Sequence, residues 1–427
     1  MDGARRLGPG HMRRLASNRF VNCRPLLAGW LLFAITLASV ASDKAPAVER
    51  RHGRSLRGSV DGLPFLLLRG THEERGEAHG ALAAREIIQS VDGMARLVIQ
   101  RKANWQQLID ASHRFQIAPR YRQELEAMLR GIRQALPDAA DRKVGSLQRE
   151  LAFDDLRVLQ TGDVFELMRC SQFSAWGKLT LDGQVIVGRN FDYPPIFPRE
   201  TCCVLAIEPA EKDLHPTLDA MWFGIIGAGL ATLRDDGLYL APNSGGRPRR
   251  GSEIKQPVPG ALFLRSFAES ARGDDLAEQF VRAIAGKVVL PLIVHLVPPH
   301  ASAQGMPPVV IEYTPDSGSF GSRVRRPVAG VPALFLANHF INEEAELQRG
   351  RSGTMQTGLT SCAKLDQAIG FAEARKILDD VKQADTYYSA VVWPGKRIMK
   401  ISIAEPGMPA TRGKSVTVRW SDLFSLK

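Results

Sequence analysis

The chain lacks several motifs on which common enzyme classes depend. Its 427 residues contain no Gly-x-Ser-x-Gly nucleophile motif, no P-loop and no dinucleotide-binding fingerprint, and no His/Cys/Asp cluster at metal-ligand spacing. Five cysteines are too few for a disulfide scaffold. A single apolar run approaches membrane length, which excludes a polytopic membrane protein. We therefore expect an ordinary folded domain that needs neither a cofactor nor a metal ion.

The first 42 residues have the composition of a targeting segment. Six arginines against Asp2 alone give them a formal charge of +5 out of the total +11. An apolar stretch at 25–41 follows, with small residues at Ser39 and Ala41. A basic start, an apolar centre and small residues at the end are the three parts of a secretory signal peptide. We expect 1–42 to be a signal peptide cleaved near Ala41, or else an N-terminal anchor, with translation starting at Met1 or Met12.

This leader decides the expected compartment and partners. The remaining +6 is dispersed, and its two tight arginine clusters, at 247–250 and 323–326, are not interleaved with stacking aromatic residues. We therefore expect no nucleic acid partner. The folded part is predicted to work outside the cytoplasm, secreted or periplasmic, and to have no stable membrane contact once the leader is removed. A homo-oligomer remains open.

The order of the predicted elements favours an α+β fold. Apolar residues recur every three or four positions at 73–102 and 120–136, which predicts two amphipathic helices after a strand at 63–68. From residue 170 onward short strands dominate, and such an order argues for layered antiparallel sheets. The polar segment 45–59 is interpreted as an N-terminal tail. The other predicted elements are strands at 173–181, 185–193, 203–208, 221–226, 238–241, 309–313, 334–337, 390–393, 397–404 and 416–420, and helical regions at 257–284 and 363–381.

A predicted hairpin brings the first candidate residues together. Asp182-Gly183 is typical of a two-residue hairpin turn. The strand before it begins at Cys170 and the strand after it carries Arg189 and Asp192, so both side chains should lie near the thiol. A cation beside a thiol stabilises the thiolate, and a carboxylate can accept a hydrogen bond from a nearby amine. These are the requirements of a cysteine nucleophile that has no histidine base, although a buried structural thiol is the alternative.

Two asparagines follow apolar strands further along the chain. Asn243 and Asn338 each offer an amide NH₂, a neutral donor suited to a developing oxyanion. Structural roles are open for both, since Asn243 precedes Ser244-Gly245-Gly246, which is turn chemistry, and Asn338 can cap the turn that follows it.

In their order along the chain, these motifs resemble the N-terminal nucleophile hydrolases. The segments 170–173 (CSQF), 188–193 (GRNFDY) and 338–340 (NHF) are similar to motifs of the acyl-CoA:6-aminopenicillanic acid acyltransferase-like family and of the related choloylglycine hydrolases and penicillin V acylases. The segments 70–80 and 310–312 resemble further parts of the acyltransferase-like family. The resemblance covers nearly the whole chain after the leader.

The resemblance implies a four-layer αββα sandwich and a self-processing precursor. Cleavage between Arg169 and Cys170 would leave an α segment, 43–169, and a β chain, 170–427, within one interlocked catalytic domain, 43–427. The freed α-amino group has a reference pKa of ~7.7–8.0 and can serve as the general base near neutral pH. Cys170 would then attack a small-molecule N-acyl substrate and form a thioester, which water or an acceptor amine resolves.

Roles for the other site residues are implied in the same way. Arg189 would orient the thiol and Asp192 the α-amino group. The Asn338 amide and a backbone N–H near Asn243 would bind the oxyanion. The family carries an arginine shortly after a serine near the start of its late helix, which corresponds to the helix predicted at 363–381. We align Lys364 with that arginine. This is a departure from the family, because lysine lacks the planar fork of arginine.

Three functions therefore remain in view. The first is an amidohydrolase or acyltransferase acting on a C–N amide bond. The second is a catalytically inactive extracytoplasmic binding module with the same fold, which the lysine at 364 favours. The third is an ester or lipid hydrolase that uses the same nucleophile. A disulfide between Cys362 and either Cys202 or Cys203 is also open, because the compartment is expected to be oxidising.

Overall fold

The computed structural model describes residues 44–161, 168–194, 196–246, 254–301, 306–315, 321–327, 331–341, 350–365 and 367–427. The leader, 1–42, lies outside these residues, so its role as signal peptide or anchor stays a prediction. Within the described residues, no helix combines the length and the hydropathy needed to cross a membrane.

Strands and helices alternate in blocks along the described chain. The strands are Ala47–His52 (β1), Ser55–Val60 (β2), Leu63–Gly70 (β3), Lys143–Val144 (β4), Arg149–Glu150 (β5), Ser171–Gly177 (β6), Gly183–Asp192 (β7), Cys202–Pro209 (β8), Thr217–Trp222 (β9), Thr232–Arg234 (β10), Tyr239–Ser244 (β11), Leu292–Val297 (β12), Val309–Tyr313 (β13), Ser322–Arg325 (β14), Ala333–Leu336 (β15), Thr386–Trp393 (β16), Ile398–Ile403 (β17) and Val416–Arg419 (β18). The helices are His72–Gln100 (α1), Trp105–Ser112 (α2), Pro119–Ala135 (α3), Phe153–Thr161 (α4), Gly260–Ser270 (α5), Leu276–Ile284 (α6), Gly350–Lys364 (α7), Phe371–Asp380 (α8) and Trp420–Phe424 (α9).

Two sheets carry most of these strands. The large sheet has the order β1-β2-β3-β8-β9-β10-β11-β12-β13-β14, and the small sheet has the order β15-β6-β7-β16-β17-β18. The pair β3 and β8 is parallel, with Phe65 opposite Val204, whereas the other paired strands in the two sheets are antiparallel as far as the structure describes them. The large sheet therefore joins strands from both sides of the Arg169–Cys170 bond.

Alternation along β6 shows how the two sheets are layered. Phe173 and Ala175 pack in an apolar cluster with α7 and α8, on the outer face of the small sheet. Gln172 and Ser174 point the other way, because successive side chains of a strand alternate between faces. Their side chains hydrogen-bond to residues of the large sheet, Gln172 to Asn243 and Ser174 to His295. Since α1 packs against β1, β2 and β3 of the large sheet and α3 packs against α1, the predicted α+β class and αββα layering are confirmed.

The segment 70–80 explains how α1 begins. Gly70 has φ +110°, a conformation that favours glycine. Thr71 then caps the helix, its side chain accepting from the Glu74 N–H while the Glu74 carboxylate accepts from the Thr71 N–H. Further along the helix, the buried Nε2 of His79 accepts from the Gly224 N–H at 3.0 Å. Burial lowers the pKa of His79 to about 4, so it is a neutral acceptor at physiological pH.

Glycines allow α1 and α3 to pack with their backbones in contact. A Cβ atom on Gly80 would lie 2.0 Å from the Met128 carbonyl oxygen, and one on Gly76 would lie 2.0 Å from the Glu124 carbonyl oxygen. Gly131 of α3 meets the Glu77 carbonyl oxygen in the same way, also at 2.0 Å. No side chain fits at these positions unless the helices separate.

Replacing Gly80 with alanine should therefore destabilise the fold despite the better helix propensity of alanine. Forcing the two helices apart is expected to cost about 3 kcal/mol, more than the ~1 kcal/mol that alanine contributes within a helix. Urea denaturation checks this. Gly145→Ala is the control, because its Cβ would meet Asp92 Oδ1 at 3.5 Å, an ordinary contact. Equal stability of the two variants would contradict this account of the helix contact.

Several predicted elements differ in the structure. The segment interpreted as a tail forms β1 and β2, and its charged residues lie on an exposed edge strand, where they discourage pairing with other chains. The predicted helix 257–284 is two helices separated around Gly273, which has φ +83°. The predicted helix 363–381 covers the end of α7 and the whole of α8. The hairpin exists, but residues 178–182 connect its strands instead of a two-residue turn.

Candidate active site

The candidate site is built around Cys170, the residue just before β6. The thiol is fully buried, and Arg189 Nη2 lies 3.5 Å from Cys170 Sγ. Arg189 reaches it because β7 returns antiparallel to β6, with Arg189 opposite Gln172. The hairpin thus brings the guanidinium to the thiol.

Burial decides the ionisation of this thiol in the intact chain. It raises the pKa of Cys170 to about 11, and the nearby Arg189 charge only partly opposes this. Arg189 lowers the pKa of the thiol as expected, but desolvation of the anion outweighs the attraction of one guanidinium, so the thiol is neutral near pH 7. A base would have to take its proton before this thiol could act as a nucleophile.

Arg189 is held by four groups between the sheets. Its guanidinium donates to the Tyr388 hydroxyl at 3.2 Å, to Asn243 Oδ1 at 3.2 Å and to the Pro242 carbonyl at 3.0 Å, in addition to its contact with Cys170 Sγ. The side chain is completely buried. Because arginine is a donor at every nitrogen, these partners fix the fork in one orientation against the thiol.

Asp192 lies at the end of β7, beside the peptide bond that precedes Cys170. Its carbonyl oxygen accepts from the Arg169 N–H at 2.9 Å. Its carboxylate accepts from the Thr386 hydroxyl at 2.6 Å and from Arg351 Nη1 at 2.6 Å. Burial raises the pKa of Asp192 to about 6, with Thr386 and Arg351 acting against that rise.

Arg351, which the sequence prediction missed, connects most of the site. At the start of α7, its Nη1 donates to the Arg169 carbonyl at 2.8 Å and to Asp192, and its Nη2 donates to Asn338 Oδ1 at 2.8 Å. Ser352 follows it directly in the sequence. Arg351 is thus an arginine near the start of the late helix and close to Cys170.

The choice of Lys364 for that role is corrected by the structure. Lys364 is exposed at the other end of α7, thirteen residues and about 20 Å along the helix axis from Arg351. A residue at that end of the helix cannot reach the thiol. The arginine fork needed for a bidentate contact is therefore present in this chain.

The two asparagines approach Cys170 from different sheets. Asn338 follows β15, which pairs beside β6 with Leu336 opposite Gln172, and its Nδ2 donates to the Ser244 carbonyl at 2.9 Å and the Met168 carbonyl at 3.2 Å. Asn243, from β11 of the large sheet, donates through Nδ2 to the Cys170 carbonyl at 3.3 Å. Both amides therefore lie beside Cys170 or the residues flanking it, and the contribution of a backbone N–H near Asn243 stays a prediction.

Glu312 supports the segment that carries Asn338. It lies on β13, and its carboxylate accepts from the Ile341 N–H at 3.3 Å. It also pairs with Arg323 and with Arg325, the latter at 3.3 Å. These contacts anchor the chain just after Asn338 and give the motif at 310–312 a structural purpose.

Other chemically interesting side chains lie outside the site. His215, Asp235 and Asp236 are the described residues close enough together to hold a metal ion. However, His215 already contacts Asp235 at 2.8 Å, and the Arg234 guanidinium holds the Asp236 carboxylate at 2.5 Å. The Arg272 guanidinium also donates to His215 Nε2 at 2.7 Å, so hydrogen bonds and an ion pair already occupy these atoms and they do not form an open ligand set. The four described cysteines, Cys170, Cys202, Cys203 and Cys362, are free thiols.

Comparisons with known proteins give structural neighbours only. No family model and no curated protein sequence matches the chain. Among solved structures, it is similar to a Caenorhabditis elegans N-acylethanolamine-hydrolyzing acid amidase ortholog, with 17% identity, 58% of this chain and 99% of that chain covered, and a TM-score of 0.40. It is also similar to a penicillin V acylase from Agrobacterium tumefaciens, with 11% identity, 60% of this chain and 88% of that chain covered, and a TM-score of 0.41. A mutant conjugated bile acid hydrolase from Clostridium perfringens has 14% identity, with 60% of this chain and 95% of that chain covered, and a TM-score of 0.38. Similarity of this degree assigns no activity, so function must be inferred from the site itself.

Proposed function

We propose that the chain is a self-processing cysteine amide hydrolase in which Cys170 becomes the N-terminal nucleophile. One observation carries this proposal. The carbonyl of Arg169 accepts a hydrogen bond from Arg351 Nη1 at 2.8 Å, while the thiol of the next residue lies 3.5 Å from Arg189 Nη2. A polarised carbonyl directly before an oriented thiol is the arrangement that intramolecular acyl transfer requires.

The processing step follows from these contacts. Cys170 Sγ attacks the Arg169 carbonyl carbon and loses its proton, and the negative charge that develops on the oxygen is stabilised by Arg351. The C–N bond then breaks, the proton passes to the Cys170 nitrogen, and a thioester joins Arg169 to Sγ. Water hydrolyses that thioester, leaving a carboxylate on Arg169 and a free thiol and α-amino group on Cys170.

The same groups serve turnover once the amino group is free. An α-amino group with a reference pKa of ~7.7–8.0 accepts the thiol proton at neutral pH, which the buried thiol needs because its own pKa is high. Cys170 Sγ then attacks the carbonyl of an N-acyl substrate, the amine leaves with a proton, and water releases the acid. Arg189 orients the thiol, Asp192 holds the amino group, and the Asn338 amide and a backbone N–H near Asn243 bind the oxyanion.

Arg351 also bears on the competing functions. A lysine in the place of the late-helix arginine was the best support for an inactive binding module, and Arg351 removes that support. An acceptor amine in place of water would make the enzyme an acyltransferase through the same thioester. We propose amide hydrolysis, and export directed by the leader.

Mass spectrometry of purified active protein tests the proposal directly. We expect two chains, one ending at Arg169 and one running from Cys170 to Lys427. Edman degradation of the second chain should give Cys-Ser-Gln-Phe. An active preparation that consists only of chain intact across Arg169–Cys170 would contradict the proposed mechanism.

A further inference from the structure

A buried glutamine next to the nucleophile has no part in the chemistry described so far. Gln172 lies two residues after Cys170 on β6, so both residues belong to the face of the strand that is directed toward the large sheet. It is fully buried. Its Nε2 donates to Asn243 Oδ1 at 2.6 Å and to the Ala241 carbonyl at 3.3 Å.

The contacts of Asn243 permit one orientation of its amide. Its Oδ1 receives N–H groups from Gln172 and from Arg189, and arginine can only donate. Its Nδ2 faces two carbonyls, Cys170 at 3.3 Å and Ala337 at 3.1 Å. If the amide flipped, its oxygen would meet two carbonyls and its NH₂ would meet two donors, and each of these contacts is unfavourable in a buried site.

The orientation of Gln172 is fixed in turn by the Ala241 carbonyl, which can only accept and therefore requires Nε2 on its side. The hydroxyl of Tyr239 then donates to Gln172 Oε1 at 3.2 Å. The hydrogen bonds thus run in one direction, from Tyr239 to Gln172, to Asn243, and on to the Cys170 carbonyl. The last contact holds the main chain of the nucleophile itself.

We propose that Gln172 is a positioning residue, which locks the Asn243 amide so that its NH₂ holds the carbonyls of Cys170 and Ala337 and thereby fixes the main chain of residue 170. This inference rests on the proposed function, because it assigns how that site keeps its geometry. Gln172 touches neither substrate nor thiol in this account. Its effect passes through Asn243.

Substitution by glutamate makes this role visible in a pH profile. The introduced carboxyl group can donate to Asn243 Oδ1 while it is protonated, as glutamine does. Once ionised it can only accept, so it either repels the Asn243 oxygen or turns the amide against Arg189 and the two carbonyls, and both outcomes disturb the site. We expect Gln172→Glu to lose about 100-fold in kcat at high pH, with KM changed less than threefold, and to approach the wild type as pH falls toward 5. Among the described residues, the charged or titratable groups around Gln172 are Arg189 on β7, Asp219 on β9, Tyr239 on β11, His295 on β12, Tyr388 on β16 and Cys170 itself. All are shared with the wild type, so the rate ratio isolates the introduced carboxyl group.

Two further variants separate positioning from packing. Gln172→Met removes the donor at every pH but leaves the Arg189 contact, so its deficit in kcat should be about tenfold and independent of pH. Gln160→Glu is the matched control for a buried carboxylate, since Gln160 bonds to the Leu156 and Gly224 carbonyls away from the site. We expect its kcat to stay within threefold of the wild type, with any loss confined to the thermal unfolding midpoint.

The rate of Cys170 alkylation by iodoacetamide, followed by mass spectrometry, keeps this inference distinct from the proposed function. If the wild type is alkylated at Cys170 but hydrolyses no amide, the proposed function fails. The inference still stands in that case when the alkylation rate of Gln172→Glu, divided by that of the wild type, varies with pH. The inference is overturned if both Gln172 variants match the wild type within threefold across pH 5–9. It is also overturned if both show the same pH-independent deficit together with equal losses of thermal stability.

Discussion

Replacing Cys170 with alanine is expected to yield a folded chain that is neither cut nor active. In the proposed mechanism the thiol attacks in both processing and turnover, so both rates should fall at least about 10⁴-fold. Alanine fits the buried position because it only removes an atom, and the hydrogen bond from Asn243 reaches the main chain of residue 170 rather than its side chain. Electrophoresis, intact mass and circular dichroism measure cleavage and folding together.

A second buried thiol supplies the control for this experiment. Cys362 is also free and buried, but it lies on α7 in the apolar cluster outside the small sheet. Cys362→Ala should therefore be cut and active at close to the wild-type rate. Amide hydrolysis retained in Cys170→Ala would move the nucleophile to another residue.

Replacing Arg351 with methionine is expected to slow self-cleavage by about 10²–10³-fold, the usual effect of removing one oxyanion donor. Arg351 is the side chain that donates to the Arg169 carbonyl, and it also contacts Asp192 and Asn338. Arg351→Lys should recover only part of the rate, because an ammonium group cannot serve three acceptors in one plane. The rate is measured by following the appearance of the Cys170 N-terminus after purification of the uncut variant.

Lys364→Met distinguishes the two ends of α7. The side chain is exposed and distant from the thiol, so cleavage should proceed as in the wild type. Slow cleavage in Lys364→Met with normal cleavage in Arg351→Met would reverse the assignment.

Arg351→Met should also shift the acid limb of any residual activity to higher pH. Arg351 lowers the pKa of Asp192, so its loss raises that pKa further and the carboxylate then ionises only at higher pH.

Much of the site could be predicted because it depends on one hairpin and two strand ends. The motif order placed Cys170, Arg189 and Asp192 on neighbouring strands, and strand pairing brings such residues together whatever the details of the turn. Asn338 is similarly close because β15 pairs directly with β6. Local patterning is sufficient for the contacts within the hairpin, whereas the place of Asn338 was implied by the family resemblance.

The arginine on α7 could not be found in the same way. Near Lys364 the sequence has a serine followed by a cation. At the other end of the helix, Arg351-Ser352 has a cation followed by a serine, so both ends carry the two residue types. Helical periodicity shows which face of a helix is apolar but not which of its ends approaches a distant strand. Only the packing of α7 on the small sheet decides that.

Two other errors arose from local chemistry. The charged segment of β1 has the composition of a solvated tail, and the same charges suit an exposed sheet edge. The sequence predicted no role for Gln172, because a polar residue in a strand is usually directed to solvent. The local sequence does not show that a second sheet packs over this residue. The face-to-face packing of two sheets makes that position an interior one.

The parallel pairing of β3 with β8 has a kinetic consequence. In the intact chain the two strands find each other at a fixed effective concentration. After the proposed cleavage they would belong to separate chains that share one ten-stranded sheet and one continuous core. Refolding of the processed protein would then be bimolecular and depend on protein concentration, whereas the precursor would refold as a single unit. Self-cleavage would thus make assembly a one-time event, because only the precursor folds as a single chain. The processed protein would persist through kinetic stability, that is, because it unfolds slowly.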